Sequence, residues 1–453
     1  MRTDLLILIV GALSLIALVK PRIGLFGYLW FALMRPDILS WSAGVIPYST
    51  ILAVATLIGS LRYVFDIRLL LANVMVRWFL LLELLFLVSV FCAIRPDLTY
   101  VEYNLFLRVT LMAMLIPIFV RTVDDMKILL AVLALSVGAL GVKFGLWGML
   151  QGGARFTEGM GSAGLISDNN CLALALAMAA PLCWYARNFF ESWWLRLAIL
   201  GMLFSTIAAI VMTHSRGGAL AFVIGFAPVV LRAKRKLPIM LLVAVLSAPA
   251  LFMVRESYFA RMESIADYTT EVSAVSRIDY AKAAIAMWKD YPLAGVGFGT
   301  ANYTRLVANY LGRDDSHVAH NTYLQVLVDS GIFAFLTYCG LLFGALYWLQ
   351  RSASRLRRRL PGMEIYPVML QSSLLAFAVG STFLSRVNFD YTYMLLMAVA
   401  AWIPIERQLL AEEAGAVGQE LGARGQAGYP LVVRVGAGGQ ELAVQEAYAH
   451  GAR

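Results

Sequence analysis

Residues 320–359 read HNTYLQVLVDSGIFAFLTYCGLLFGALYWLQRSASRLRRR. The segment opens on polar groups, continues as a long apolar run, and closes on Arg351, Arg355, Arg357, Arg358 and Arg359. A full bilayer crossing needs about 20 mostly apolar residues, and this run supplies them. The cation cluster at its end is the mark of a cytoplasmic loop under positive-inside topology. Read alone, the stretch is a transmembrane helix that enters from the outside and leaves into a basic loop.

The rest of the chain repeats the pattern. Of 453 residues, 60% are hydrophobic and only 14% charged, and the mean hydropathy is +0.75. A soluble domain carries about 25% charged residues, so a soluble enzyme and extended disorder are both excluded. In lipid only helices and closed barrels satisfy their own backbones, and a barrel reads as short alternating segments. Here the runs are unbroken: 4–19, 23–34, 45–61, 77–94, 104–120, 127–150, 165–186, 195–213, 217–231, 237–254, 320–349, 364–384 and 390–406. The fold class expected is an all-α polytopic membrane protein with about twelve transmembrane helices. The first two runs, interrupted by Lys20, Pro21 and Arg22, form either one kinked crossing or a hairpin; the count of twelve takes them as one.

Domain organisation follows: transmembrane helices over 1–254, a loop over 255–319, transmembrane helices over 320–407, and a flexible cytoplasmic tail over 408–453. The basic clusters at Arg232–Lys236 and Arg351–Arg359 are address labels for the cytoplasmic side. The net charge of +9 is thereby explained without nucleic acid. Alternation then sends 151–164, the tight turn at His214–Gly218, the loop 255–319 and the turn around Arg386–Asp390 to the outer face. The loop has seven basic and eight acidic residues, a balance suited to translocation. Within it, 276–291 is expected to be a helix with Ser276 as N-cap, and Ile278, Ala281, Ile285 and Trp288 as an apolar stripe packed on the membrane domain. Gly295, Gly297 and Gly299 lack the surroundings of a phosphate-binding loop and read as a tight turn. In the tail only Leu431–Val435 is β-prone. Cys92, Cys171, Cys183 and Cys339 sit in apolar stretches without CxxC spacing, which suits small buried hydrophobes rather than a disulfide or zinc set. The first apolar run lacks a small-residue cleavage site and leads into further spans, so a cleaved signal is not expected.

Chemistry is expected on the outer face, because ionisable groups at a membrane are costly and kept for function. Four histidines occur, His214, His317, His320 and His450, and the first three fall outside. Helices entering from that face present free N–H groups and partial positive charge outward. Their starts carry Asp168-Asn169-Asn170, Ser215-Arg216-Gly217-Gly218 and His317 to Asn321, a set able to surround a phosphate. The same positive ends favour a neutral imidazole, the form a general base needs. Arg216 and Arg277 are the strongest anion ligands, since guanidinium stays charged and grips phosphate with paired donors. No DxD or metal cluster accompanies them on that face apart from Asp314-Asp315, so no metal or other cofactor is expected.

Ser215-Arg216-Gly217-Gly218, followed by a large late loop and His320-Asn321-Thr-Tyr-Leu324-Gln-Val-Leu-Val-Asp-Ser-Gly331, resembles the O-antigen ligase and O-antigen polymerase superfamily. The opening around Met34-Arg35-Pro36, up to Trp41, and Gly161-Ser-Ala-Gly-Leu-Ile-Ser-Asp-Asn-Asn170 are most similar to the branch associated with exosortase systems. The resemblance covers about residues 1–405. It implies a C-type, multi-spanning glycosyltransferase of the bacterial inner membrane. Such an enzyme works on the periplasmic face, taking a glycan from undecaprenyl diphosphate and passing it to an acceptor, in the ligases the lipid A-core. It further implies His320 as the base, with His317 as its rival, and Arg216 and Arg277 as ligands of the diphosphate. Ser215, Gly217, Asp168, Asn169, Asn321 and Arg386 are supporting candidates.

The motif does not separate a ligase from a polymerase or from a ligase acting on protein. A transporter of lipid-linked solutes is the reading from a different class. Transporters usually show related halves and mid-membrane polar sites. Here no repeat is visible and the polar groups gather at helix ends.

Overall fold

The computed structural model describes residues 2–38, 46–151, 168–253, 272–313 and 316–426. Among them the secondary structure is helical throughout, with no strand. In chain order the helices are α1 (Arg2–Val19), α2 (Pro21–Met34), α3 (Tyr48–Ser60), α4 (Ile67–Ala72), α5 (Val74–Phe91) and α6 (Pro96–Ala113). There follow α7 (Ile116–Phe119), α8 (Val123–Leu150), α9 (Asn169–Ala186), α10 (Trp193–Met212), α11 (Arg216–Arg232) and α12 (Lys236–Met253). The last five are α13 (Val272–Asp290), α14 (Ala301–Leu311), α15 (Thr322–Arg359), α16 (Ile365–Gly380) and α17 (Asp390–Gln426). The chain divides into two units, the first Met1–Trp402 and the second beginning at Ile403. The first holds both cavities described below.

Eight helices among the described residues are long and apolar enough to cross a membrane: α5, α6 with its extension to Phe119, α8, α9 with its extension to Phe189, α10, α15, α16 and α17. The other expected spans are short helices or miss that threshold, α2 at 14 residues and α3 at 13 being the shortest. Large apolar side chains stand on the outer faces, such as Leu84, Phe91, Val223 and Leu336, as lipid-facing surfaces require.

Residues 4–34 form a hairpin. Lys20 interrupts the helix, Pro21 restarts it at the first turn, where a missing N–H costs nothing, and α2 packs back on α1. A Cβ on Gly24 would lie 2.4 Å from Ala17 Cβ, and one on Gly27 would lie 3.3 Å from Leu13 Cδ1, so the two helices run antiparallel.

At the centre stands α9, in which every residue except Asn170 and Tyr185 is buried. Helices α8, α10, α11 and α16 surround it. Its alanines allow the close approach that drives packing in membranes: Gly218 of α11 comes so near that a Cβ there would lie 2.3 Å from Ala173 Cβ. Ser373 on α16 donates to the Met178 carbonyl at 2.7 Å. All four cysteines are free thiols; Cys171 and Cys183 are buried.

The loop between α12 and α15 contains two helices. The first, α13, begins earlier than expected. Ser276 lies inside it rather than capping it, because Val272, Ala274 and Val275 already take the helical pattern. The face of α13 that packs is also different from the expected one. Tyr280, Ala283, Ala284 and Met287 form the buried core with Val296, Tyr303, Val307, Ala319 and Val328, and Trp288 joins them partly buried. Ile278 and Ile285 are instead 45% and 41% exposed. The two stripes differ by two positions, about 200° around the helix.

Gly295-Val-Gly297-Phe-Gly299 does turn the chain, with φ of +71°, +125° and +95° at the three glycines. Its partner is a break in α15 at Gly331, where φ is +79° and ψ −179°. There the loop replaces helical bonds: Val296 N–H donates to Val328 O, Gly297 N–H to Asp329 O, and Ile332 N–H to Pro292 O, each at 2.9 Å. Phe298 fills an aromatic cluster with Phe86, Tyr103 and Phe106, and Asn302 Nδ2 reaches Thr99 Oγ1 at 2.7 Å. The loop is thus riveted to α5, α6 and α15.

Helix α17 runs past 407 to Gln426, since the Ala, Glu and Gln of that stretch are good helix formers. Leu431–Val435, Asp314-Asp315, Trp41, Glu271, His450 and most of Gly161–Asn170 lie outside the described residues.

Gly331→Ala tests the break. Its methyl would lie 2.0 Å from the Leu293 carbonyl oxygen, in a backbone region reserved for glycine at a cost of about 1–3 kcal/mol. Thermal unfolding in detergent should show a clear fall in midpoint for Gly331→Ala and little change for Gly344→Ala, which meets nothing within 4 Å.

Candidate active site

Three helix starts meet at one place, each capped by a side chain. Asp168 Oδ1 accepts from Asn170 N–H at 2.8 Å and Cys171 N–H at 3.0 Å, opening α9. Ser215 Oγ accepts from Gly218 N–H at 3.1 Å, opening α11. Asn321 Oδ1 accepts from Tyr323 N–H at 2.9 Å and Leu324 N–H at 3.1 Å, opening α15. Such caps satisfy backbone donors that a helix start leaves without partners.

Two of these starts follow a sharply turned residue. His214 (φ +54°) precedes the Ser215 cap and His320 (φ +51°) precedes the Asn321 cap. Left-handed backbone in a non-glycine residue costs about 1–2 kcal/mol. The surroundings hold it in place: Asn321 N–H donates to Ser385 Oγ, Thr322 Oγ1 to Leu384 O at 2.6 Å, and Tyr323 OH to Ala378 O at 2.7 Å. Val387 N–H donates to Gln325 Oε1 at 3.1 Å.

Between α9, α11, α13, the start of α15 and the link after α16 lies a cavity of about 700 Å³. Arg216, Arg277 and His320 all line it. So do Ser215, Gly217 and Asn321 among the supporting candidates. Lys282 and His214 line it as well, although the sequence did not single them out. Lys282 sits one turn after Ile278 on α13 and was legible only once the open face of that helix was known. Among the described lining residues there are three permanent cations and no acid. One wall is apolar: Ile278, Ala281 and Ile285, the stripe expected to pack, face the space instead, opposite Leu324 and Phe383.

Other candidates have different places. Asp168 and Arg386 pair with each other, Arg386 Nη2 to Asp168 Oδ2 at 3.2 Å. Cys171 Sγ donates to the same carboxylate oxygen at 3.0 Å. These contacts tie the α9 start to the link before α17. Burial works to raise the Asp168 carboxyl, but hydrogen bonds from Cys171 and the charge of Arg386 hold it below its usual range. Asn169 is buried beside the cavity, and Asn170 lines it in its stead. His317 is exposed, its ring 5.8 Å from that of Tyr280, and it is not among the lining residues. Asp279, two residues after Arg277, pairs with Arg313 at 3.5 Å.

The imidazole of His320 is held below the ordinary histidine value, first by burial and then by the charge of Arg277, with Asp168 pulling weakly the other way. Near neutral pH it is therefore an acceptor. The two glycines after Arg216 serve packing: Gly218 meets Ala173, and a Cβ at Gly217 would lie 3.0 Å from Phe383 Cβ. Together these groups make a chamber lined by Arg216, Arg277, Lys282 and two histidines, with one apolar wall.

Residues 200–339 match the family model described as O-antigen ligase. That stretch contains Arg216, Arg277 and His320. Residues 1–189 match a model described as a family of unknown function (DUF5935). No curated protein matches the chain.

Gly218→Ala should loosen the cavity at its base. The methyl has no room beside Ala173, and overpacking costs about 1–3 kcal/mol. A lowered unfolding midpoint in detergent is the expected result; an unchanged midpoint would show that α9 and α11 are not held this tightly.

Proposed function

We propose that this chain, which carries the O-antigen ligase domain and is of the O-antigen ligase/polymerase type of membrane glycosyltransferase, acts as a ligase. It takes a glycan from undecaprenyl diphosphate and joins it to a lipid A-core acceptor at the periplasmic face of the bacterial inner membrane. One observation carries the reading: Arg216, Arg277 and His320, far apart in sequence, open onto one cavity lined by no acidic side chain among the described residues.

The chemistry follows from those groups. As the acceptor oxygen attacks the anomeric carbon, the carbon–oxygen bond to the diphosphate breaks and negative charge grows on the leaving group. Arg216 and Arg277 hold that charge with paired N–H donors, in a setting where fixed donors are most effective. His320 takes the proton of the attacking hydroxyl. Direct attack opposite the leaving group inverts the anomeric centre. The apolar wall of Ile278, Ala281 and Ile285 suits the first units of the isoprenoid tail. Lys282 stands beside it as a further phosphate ligand.

The orientation rests on charge. Helices α9, α11 and α15 start at the cavity, and α11 and α15 end in the basic clusters. The positive-inside rule places those clusters in the cytoplasm and so the cavity outside. A polymerase, or a ligase acting on protein, shares the donor half of this site and differs in what accepts the sugar. Incubation of purified protein with lipid-linked donor and each acceptor separates them; product on the lipid A-core alone supports the ligase.

His320→Ala and His320→Gly should each lower transfer by about 10²–10⁴-fold with normal membrane insertion. The glycine variant relaxes the backbone, so activity surviving in it would mean that strain, not the base, matters at this position. For Arg216→Lys the charge stays but the paired geometry goes, and about a 10- to 100-fold loss in kcat/KM is expected; equal activity would argue against bidentate diphosphate binding.

The pH profile gives another measurement. A base must be neutral, and His320 titrates below its ordinary 6.5. The acid limb of the rate profile should therefore be centred below that value. An acid limb centred above 6.5 would contradict the assignment.

A further inference from the structure

The helices that start at the large cavity end near a second, smaller one of about 260 Å³. Arg187 at the end of α9, Arg232 at the end of α11 and Arg357 near the end of α15 all line it. These residues are remote in sequence, and the packing of α9, α11, α15 and α16 brings them together. The guanidinium carbon of Arg187 lies 3.5 Å from the centre of the Trp184 ring. Stacked this way its flat face is covered while its in-plane donors remain available. Arg232 is steadied by a hydrogen bond to Gln350 Oε1, which also accepts from Gln371 Nε2 at 2.9 Å.

None of the three has a carboxylate within ion-pair distance among the described residues. The one acid lining the cavity, Glu364, accepts from Gly362 N–H. Three cations against one anion leave a net charge of +2. Cations near helix C-termini are favoured by the helix dipole. That effect explains each arginine singly, at its own helix end. It does not explain why three of them share one enclosure with Glu364 as the one acid in the lining, where mutual repulsion must be offset. An anion with several acceptor oxygens offsets it. Val229, Ile239, Ile365 and Val368 also line it, so the enclosure has apolar lining as well.

We propose that this second cavity binds the phosphate headgroup of an anionic membrane lipid, with Arg187, Arg232 and Arg357 as its ligands and the apolar lining receiving the start of the acyl chains. Basic pockets between helices at the cytoplasmic surface are a recurrent way of holding such headgroups. The site lies at the opposite helix ends from the proposed transfer chamber and does not depend on what that chamber does. Its occupation joins the ends of α9, α11 and α15.

The test uses the purified full-length chain in dodecyl maltoside. Retained lipid is read by native mass spectrometry and stabilisation by thermal unfolding, after addition of dioleoyl phosphatidylglycerol, dioleoyl phosphatidylcholine or inorganic phosphate. Phosphatidylglycerol should bind and raise the midpoint, with phosphatidylcholine much weaker. The triple variant Arg187→Gln/Arg232→Gln/Arg357→Gln should bind phosphatidylglycerol about tenfold more weakly or worse. Arg355→Gln/Arg358→Gln/Arg359→Gln, which removes equal charge outside the cavity, should bind nearly as the parent. Equal losses in the two variants, or equal binding of both lipids, would overturn the proposal. Phosphate that displaces the lipid supports it. Phosphate that binds through these arginines while the lipid does not would assign the cavity to a soluble phosphate ester and refute the lipid. Should the triple variant not fold, Arg187→Gln alone serves, and undiminished binding by it refutes the site.

Discussion

The molecule depends on satisfying the first N–H groups of three helices at a place walled by protein. Asp168, Ser215 and Asn321 each turn a side-chain oxygen back onto their own helix, and the backbone before two of them bends through a left-handed histidine. Without these caps the helix starts would need water or would unwind. With them, three positive helix ends point at one chamber. Arg216 comes there because it is the first residue of α11. His320 comes there because the turn that sets up the Asn321 cap leaves its ring facing inward.

A second arrangement fixes one wall of the chamber. The loop after α12 is held by a break in α15, not by surface contacts alone. At Gly331 the helix gives up its regular bonds, and the glycine-rich turn at 295–299 takes them over. Irregular backbone at this depth is tolerable only where protein replaces the missing partners. The same attachment orients α13, turning Arg277, Lys282 and the Ile278–Ile285 stripe towards the arginine of α11. Fold and site therefore share one cause.

Charge is distributed along the bundle with a consistent sense. At one end, helix starts and side chains gather positive potential around a space lined by no acid among the described residues. At the other, the basic loop ends gather arginines around Glu364. In both places basic groups from different helices line one space. In between, α9 carries no ionisable side chain other than thiols and Tyr185 from Asn169 to Ala186, and its small residues draw α8, α10, α11 and α16 into contact.

Much of this was legible in the residues themselves. Unbroken apolar runs settle the helical class, since no other structure satisfies a backbone in lipid. Capping residues before those runs mark where helices start, and Arg216 and His320 stand out because charge and imidazole are scarce in such a chain. Length along the sequence does not say which helix start lies beside which, so the pairing of Asp168 with Arg386 and the gathering of Arg187, Arg232 and Arg357 came only with packing. Helical periodicity is silent in a similar way about α13: it carries two apolar stripes about 200° apart, and either suits a buried face. Contact with Val296, Tyr303 and Val328 decided between them, and that choice put Ile278, Lys282 and Ile285 in the chamber. Local chemistry determined what each helix is; contact between groups on different elements, from tens to hundreds of residues apart, determined what each helix faces.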